Sequence, residues 1–512
     1  MVTFYTTKIF RGILVSLSFC LAFNLSFGNE KSDAVYLGSA KELIKSFSKI
    51  NPSNKQQHSI KLAADKTAWI IVSNNSNRDG KMHVFGNVVG YEQATFFLNE
   101  EGNTLSGKVI FRKSKEAFDI STNYKGDVFV TPIDIHQVMC FDYNQYQAKE
   151  TNLDEVPDNA SAQKNNETTA APLLNSLPSA ARTIYLDFDG ENVTNSNWGN
   201  INAAPSSFSN ANITTIWTCM SEDYSPFNVN VTTDVAVFNS APTSQRMKII
   251  FTPTNTAAPG AGGVAYLNSW GSGEPCWVFN SSVKSAEEAA AHECGHTLGL
   301  SHDGTASQEY YAGHASWGPI MGAVYSRPIV HWSKGEYTGA NNQQDDLTII
   351  SNRLPYRVDD HGSTIATATA LVIGGTGTVS SSSNFGVIGR RTDLDIFSFT
   401  TTGGTVSLTI NAKTEPGSAS VPDLDIQARI LDVNGTEIIK VDPTGVLSTA
   451  VTISQSLSAG NYFLEIDGVG YGSPLNTGYS DFGSLGQYFI SGTIPGGTSN
   501  GIHDQILTHN IN

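Results

Sequence analysis

The stretch His292-Glu293-Cys294-Gly295-His296-Thr297-Leu298-Gly299-Leu300-Ser301-His302-Asp303 decides how this chain is read. Upstream, Ser285 is placed to cap a helix, Glu287 and Glu288 suit its positive end, and an alanine run follows. The pattern predicts one helix from Ser285 to Leu298. Positions i and i+4 share a helix face, so His292 and His296 project together. Two neutral imidazoles at that spacing can take adjacent tetrahedral positions on Zn²⁺. Gly299 tolerates the positive φ needed to stop the helix and turn the chain back, which returns His302 as a third ligand. Three protein ligands leave one position open, the pattern of a catalytic zinc. Glu293 lies beside that position, suited to take a proton from an activated water and pass it to a leaving amine. The competing readings are a solvated polar face and a structural zinc site. For the latter the one nearby candidate fourth ligand is Cys294, which points to another side of the helix.

Working outward, residues 181–357 mix strand and helix patterns. Thr183–Phe188, Val229–Thr232, Met247–Phe251, Gly263–Leu267 and Trp277–Phe279 read as strands. Ile213 to about Tyr224 and Asp345–Asn352 read as helices. Residues 29–143 alternate apolar and polar positions between turn signals such as Asp79-Gly80, a β-rich domain opened by a helix near Ala40–Lys49. Residues 144–180 lose that periodicity and read as an exposed linker. Alternation returns over residues 363–495, an all-β sandwich, and 496–512 is a polar tail. The fold class is therefore multidomain: β-rich, then α/β, then all-β.

At the N-terminus, Lys8 and Arg11 precede an apolar run from Ile13 to Phe27, followed by Gly28. This is the order of a secretory signal over residues 1–28, and it is too short for a comfortable membrane span. Cys20 fits a lipoprotein site poorly, because Phe19 stands where a small residue is usual. The formal net charge of -16 becomes -18 once Lys8 and Arg11 leave with the signal. That balance argues against nucleic acid as a partner, and no second apolar stretch argues for stable membrane insertion. Four cysteines then remain, and in an oxidising compartment three full pairings stay open. Cys276 and Cys294, which flank the strand-to-helix connection, are the preferred disulfide.

The zinc-binding stretch resembles the metzincin clan of zinc metallopeptidases. The resemblance implies a twisted mixed sheet, an active-site helix, and a methionine turn beneath the metal, for which Pro319-Ile320-Met321-Gly322 is the match. Asp303 looks like the residue that anchors the turn in the adamalysin/reprolysin-like branch. Tyr325 departs from the astacin and serralysin spacing. It is a candidate transition-state donor or a wall of the specificity pocket. His314 and His331 are read as surface or pocket residues. Gly263, Val264, Ala265, Tyr266 and Leu267 resemble the edge strand on which such enzymes pair an extended substrate. Ile184–Gly190, Ser221–Phe227 and Trp332–Tyr337 look like a group of secreted bacterial members. Asp393–Phe397, Asp423–Ile426 and Tyr479–Tyr488 resemble the bacterial pre-peptidase C-terminal domain, often removed on maturation.

In that setting residues 29–143 are expected to be a propeptide covering the cleft, with Cys140 as a candidate cysteine switch on zinc. Asp187, Asp189, Glu222, Asp223, Asp234, Asp393 and Asp395 offer oxygen ligands for Ca²⁺. The expectation is a secreted, monomeric zinc endopeptidase acting on extracellular protein or peptide substrates and made as a zymogen. Two alternatives are a catalytically silent binding protein of the same fold and a zinc hydrolase of non-peptide amides.

Overall fold

The computed structural model describes residues 34–78, 81–91, 94–139, 171–414, 422–443, 445, 447, 448 and 450–497. The signal segment 1–28, Cys140, residues 144–170 of the linker and 498–512 of the tail lie outside the described residues.

The chain opens with β1 (Val35–Ser39) and α1 (Ala40–Phe47), which Ser39 caps by accepting from the Glu42 amide. Seven strands follow: β2 (Gln57–Lys61), β3 (Thr67–Arg78), β4 (Lys81–Val88), β5 (Ala94–Glu101), β6 (Thr104–Phe111), β7 (Glu116–Thr122) and β8 (Asp127–Ile133). They form one antiparallel sheet in the order β1-β8-β7-β6-β5-β4-β3-β2. β1 and β2 approach each other across the gap, so the sheet is nearly closed. Period-two alternation puts Ile70, Val84, Phe96, Val109, Ile120 and Val130 inside, and Leu43, Ile44 and Phe47 of α1 pack against that interior.

The second body holds β9 (Thr183–Asp187), the hairpin β10 (Glu191–Ser196) and β11 (Gly199–Ala203), then α2 (Asn210–Asp223), β12 (Asn230–Thr232), α3 (Val235–Ser240), β13 (Arg246–Phe251), β14 (Gly263–Val264), β15 (Cys276–Val278), α4 (Val283–Leu298), the parallel pair β16 (Trp317–Pro319) and β17 (Ile329–His331), and α5 (Asp346–Ser351). Its main sheet runs β12-β9-β13-β15-β14, parallel except for the antiparallel edge β14. Both faces are covered, as a parallel sheet requires. Ile249, Phe251, Cys276 and Val278 face the helical layer of α2 and α4. Ile250, Val264 and Trp277 face the other way, in a core shared with Trp198 and Ile201 of the hairpin and with Ile110, Ile135, Val138 and Met139 from the first body. Arg112 is buried in this contact beside Tyr266, and burial lowers its pKa.

The linker reading is corrected at its end. Ser176 donates its amide to Val231 O, Asn175 bridges Thr232, and Leu174 donates to Thr233 Oγ1. Residues 174–177 thus extend the sheet beside β12, because the exposed β12 edge offers backbone groups that need partners.

The remaining strands are β18 (Thr369–Ala370), β19 (Thr378–Val379), β20 (Phe385–Ile388), β21 (Leu394–Thr401), β22 (Gly404–Ala412), β23 (Ile426–Leu431), β24 (Glu437–Val441), β25 (Val451–Leu457), β26 (Gly460–Gly468) and β27 (Gly486–Thr493). They make one sheet ordered β18-β21-β26-β23-β24 and another built on β19-β27-β22-β25, with β20 also on β27. Their shared interior, with Leu408, Ile410, Ile430 and Leu464, is continuous with the helical core of the second body. The junction is polar as well. Glu222, at the end of α2, accepts from the Gln487 amide at 2.6 Å and from Gln487 Nε2 at 2.9 Å.

Burial lifts the Glu222 carboxyl to about 7, against the pull of the Gln487 hydrogen bonds. The folded chain therefore holds this proton more tightly than the unfolded chain. The group favours folding most below its ordinary value of 4.5, and that contribution is lost as pH rises through about 7. Glu222→Gln removes the titration while keeping a side chain able to pair with Gln487. Its melting temperature relative to the native chain should climb between about pH 5 and 7.5. A difference that stays flat across that window would show that Glu222 is not the titrating group.

Candidate metal centre

The helix α4 begins one turn earlier than the sequence suggests: Ser282, not Ser285, is the cap, and its hydroxyl accepts from the Ser285 amide. Every residue from Ala286 to Leu298 is buried. The helix stops at Gly299, whose φ of 110° lies in the left-handed region, with Leu300 N donating to Gly295 O at 3.1 Å. The reversal brings His302 back over His292 and His296. Ring centroids are 4.7 Å apart for His292–His296 and His296–His302, and 5.4 Å for His292–His302.

The orientation of each ring follows from its second nitrogen. His292 Nδ1 donates to Ile320 O at 2.9 Å, and His296 Nδ1 donates to Leu300 O at 2.8 Å. His302 Nδ1 lies 3.0 Å from Glu309 Oε1. A carbonyl or carboxylate only accepts, so in each ring the proton sits on Nδ1 and the Nε2 lone pair is turned inward. His292 Nε2 and His296 Nε2 then face each other at 3.0 Å. Two lone pairs at that distance repel unless a cation or proton lies between them. Burial, and then the charges of neighbouring imidazoles, hold both rings well below the usual histidine pKa, so they are neutral. One ligand atom from each of the three residues lies within 4.8 Å of the others, so the triad could hold a metal ion. The donor set, three imidazoles with their Nδ1 atoms taken up by oxygen partners, fits zinc.

Glu293 is fully buried, and neither carboxylate oxygen has a hydrogen-bond partner. Burial raises its pKa well above the carboxylate range. The strand β14 passes directly against it: a Cβ on Gly263 would lie 2.6 Å from Glu293 Oε1. Gly263 therefore makes room for the carboxylate. Met321 is buried under the helix, and a Cβ on Gly295 would meet its Sδ at 2.7 Å. The same turn supplies Ile320 O to His292, and Met321 O accepts from the Asp303 amide at 2.8 Å. The Asp303 carboxyl is pushed to about 7 by burial, with an Asn342 hydrogen bond opposing.

Two residues that the sequence did not single out complete the surroundings. Glu309 orients His302, and its carboxyl falls to about 2 because the His136 and His302 contacts outweigh the effect of burial. The Tyr310 ring packs on His302 at 4.2 Å. They lie in the loop after His302 with no recognisable spacing, so only the folded chain reveals them. Tyr325 places its hydroxyl 3.4 Å from Asn280 Nδ2, near the start of α4.

Several expectations are corrected. Cys276 and Cys294 are buried thiols not joined to each other, so the preferred disulfide is absent; Cys219, also buried, donates to Glu287 Oε2 at 2.8 Å. Cys276 Sγ is directed at Lys248 O across the sheet, while Cys294, on the helix, meets Tyr224 and Thr297. His331 is buried beside a small cleft at the junction with the C-terminal sheets, His314 is half-buried, and both are fixed by hydrogen bonds. His331 accepts from Trp317 Nε1 and donates to Asp423 O; His314 contacts Tyr311 Oη and donates to Gly478 O. Both bind the C-terminal body. Of the candidate edge strand, only Gly263 and Val264 pair with β15; Tyr266 instead bridges Met139, and Leu267 N donates to Val138 O at 3.1 Å.

Among the calcium candidates, Glu222 is taken up by Gln487 and Asp234 caps α3. Asp187 is buried and raised to about 8 by burial and by contacts with Asp189 and Glu191. Asp393 and Asp395 cluster with Asp359 closely enough to share an ion. Asp395 is fully buried, its Oδ2 accepts from Tyr488 at 2.6 Å, and its Oδ1 has no partner.

No family model matches this chain, and no curated protein does. Among solved structures, metalloproteinase-II from Bacteroides fragilis is 11% identical, covering 62% of this chain and 96% of its own, with a TM-score of 0.19. The pre-peptidase C-terminal domain of collagenase from Bacillus anthracis is 13% identical, covering 24% of this chain and 94% of its own, with a TM-score of 0.16. Overlap this small carries no argument about fold or function.

Gly295→Ala tests whether the helix and the Met321 turn are in contact. Overpacking should cost about 1–3 kcal/mol, more than the ~1 kcal/mol that alanine gains over glycine in a helix. Displacing the Ile320 carbonyl should also weaken zinc binding. A variant that melts higher and binds zinc as before would contradict this packing.

Proposed function

We propose that this protein is a zinc-dependent endopeptidase, secreted and made in a latent form. One observation carries the reading. Three imidazoles with their Nδ1 protons committed turn their Nε2 atoms toward one point, beside a buried Glu293 carboxylate without partners. Burying an unpaired carboxyl group costs stability, and such groups gather at functional sites.

Bound zinc would polarise a scissile carbonyl and lower the pKa of water to about 7. His292, His296 and His302 would hold the ion, with Ile320 O, Leu300 O and Glu309 keeping the rings in the required tautomer. Glu293 takes the proton of the attacking water and delivers it to the departing nitrogen. Its apolar surroundings favour the proton-bearing form, which suits the second step. The edge of β14 positions an extended substrate by backbone pairing, with Gly263 letting the backbone come close to Glu293.

The latent form rests on the docked first body. Val138 and Met139 already pair with Leu267 and Tyr266, at the edge a substrate would need. The Cys140 switch lies outside the described residues and remains a proposal in its own right. Calcium is proposed at Asp359, Asp393 and Asp395, where the partnerless Asp395 Oδ1 calls for a cation.

Glu293→Gln should retain zinc and lose casein cleavage by about 10²–10⁴-fold. Undiminished cleavage by metal-verified protein would exclude Glu293 as the base, and absence of chelator-sensitive cleavage by the processed native protein would favour a silent binding protein. For calcium, the native melting temperature should rise on adding millimolar Ca²⁺, and Asp395→Asn should abolish the rise. An equal rise in both proteins would move the ion elsewhere.

A further inference from the structure

Glu309 serves two neighbours. Its Oε1 lies 3.0 Å from Nδ1 of His302, a proposed zinc ligand, and 2.8 Å from Nδ1 of His136, three residues before Met139. His136 sits in a short turn, Ile135–Gln137, that follows β8 and is capped by Asp134. The same turn leads into the backbone contacts at Val138 and Met139 along the substrate edge. One carboxylate oxygen therefore joins the metal centre to the chain segment lying over the cleft. The segment's other anchor is apolar: Ile135, Val138 and Met139 are buried against Tyr266 and Trp277.

We infer that Glu309 is a positioning residue with a second role: it orients His302 for zinc and, through His136, latches the segment 135–139 across the substrate edge. The inference rests on the peptidase reading for its consequence, latency, but not for its test. While His136 occupies Glu309, the segment is held by that close polar contact at one end and by backbone pairing at the other. Both must break before a substrate can reach β14. Removal of the segment leaves Glu309 to His302 alone. The latch needs no thiol and no group from the segment on the metal itself, so it operates whatever Cys140 does.

The test uses the full-length, zinc-loaded chain with two readouts that require no cleavage. The first is zinc affinity by chelator competition. Glu309→Ala should weaken it about tenfold or more, while Glu309→Gln, which keeps an acceptor for His302 Nδ1, should restore most of the loss. The second is hydrogen exchange at the Leu267 amide, which the segment protects through Val138 O. His136→Ala should speed that exchange several-fold without a comparable loss of zinc, and His136→Asn, which keeps a donor near the Nδ1 position, should restore protection. Glu309→Ala should speed it too, and the double variant no further than the faster single one. Additive effects in the double variant, or zinc affinity indifferent to Glu309→Ala, would overturn the latch. A chain that passes both tests yet never cleaves casein would remove the peptidase reading and leave the latch standing.

Discussion

The helix α4 is buried along thirteen consecutive residues although three of them are His292, Glu293 and His296. Polar groups out of water must find partners or carry a large penalty. Much of the surrounding architecture answers that demand. The Met321 turn supplies a carbonyl to His292, the chain just past Gly299 supplies one to His296, and the loop beyond His302 supplies Glu309. Glu293 alone is left without a hydrogen bond, held in a gap that exists because residue 263 has no side chain.

That burial is assembled from three parts of the chain. The helical layer covers one face of the main sheet, while the hairpin β10–β11 and the first body cover the other. The C-terminal sheets share the helical core and grip the second body through Glu222, His314 and His331. An accessory module that detached freely would leave these groups unpaired. The shared core makes the C-terminal body part of the support for the loop carrying Met321. The first body covers apolar sheet residues too, but its final segment ends at Tyr266 and Leu267, where two backbone contacts hold it beside the His136–Glu309 contact.

Much of the centre was legible without coordinates. The i and i+4 histidines, the glycine after one further turn and the third histidine form a local pattern, and local geometry decides where such residues point. The strand alternation and the helices at Ile213 and Asp345 were equally local. What failed depended on distance through space. Cys276 and Cys294 share the core between the sheet and α4, yet each thiol is taken up by other partners, Lys248 O for one and Tyr224 and Thr297 for the other. His331 and His314 have the composition of ligands but are consumed by carbonyls of another body. Residues 174–177 have linker composition and still complete a sheet edge, since backbone pairing does not depend on side-chain pattern.

Sequence alone determined the histidine pattern, because helical periodicity and a left-handed glycine are properties of a dozen neighbouring residues. It also determined the alternation of β-rich and mixed regions, which follows from the period of apolar positions. Only the tertiary structure decided which tautomer each histidine holds, what lies against Glu293, and that His136 and His302 share Glu309. Those relations join residues far apart in the chain. Their partners are chosen by how the sheets pack, and no spacing along the chain encodes that choice.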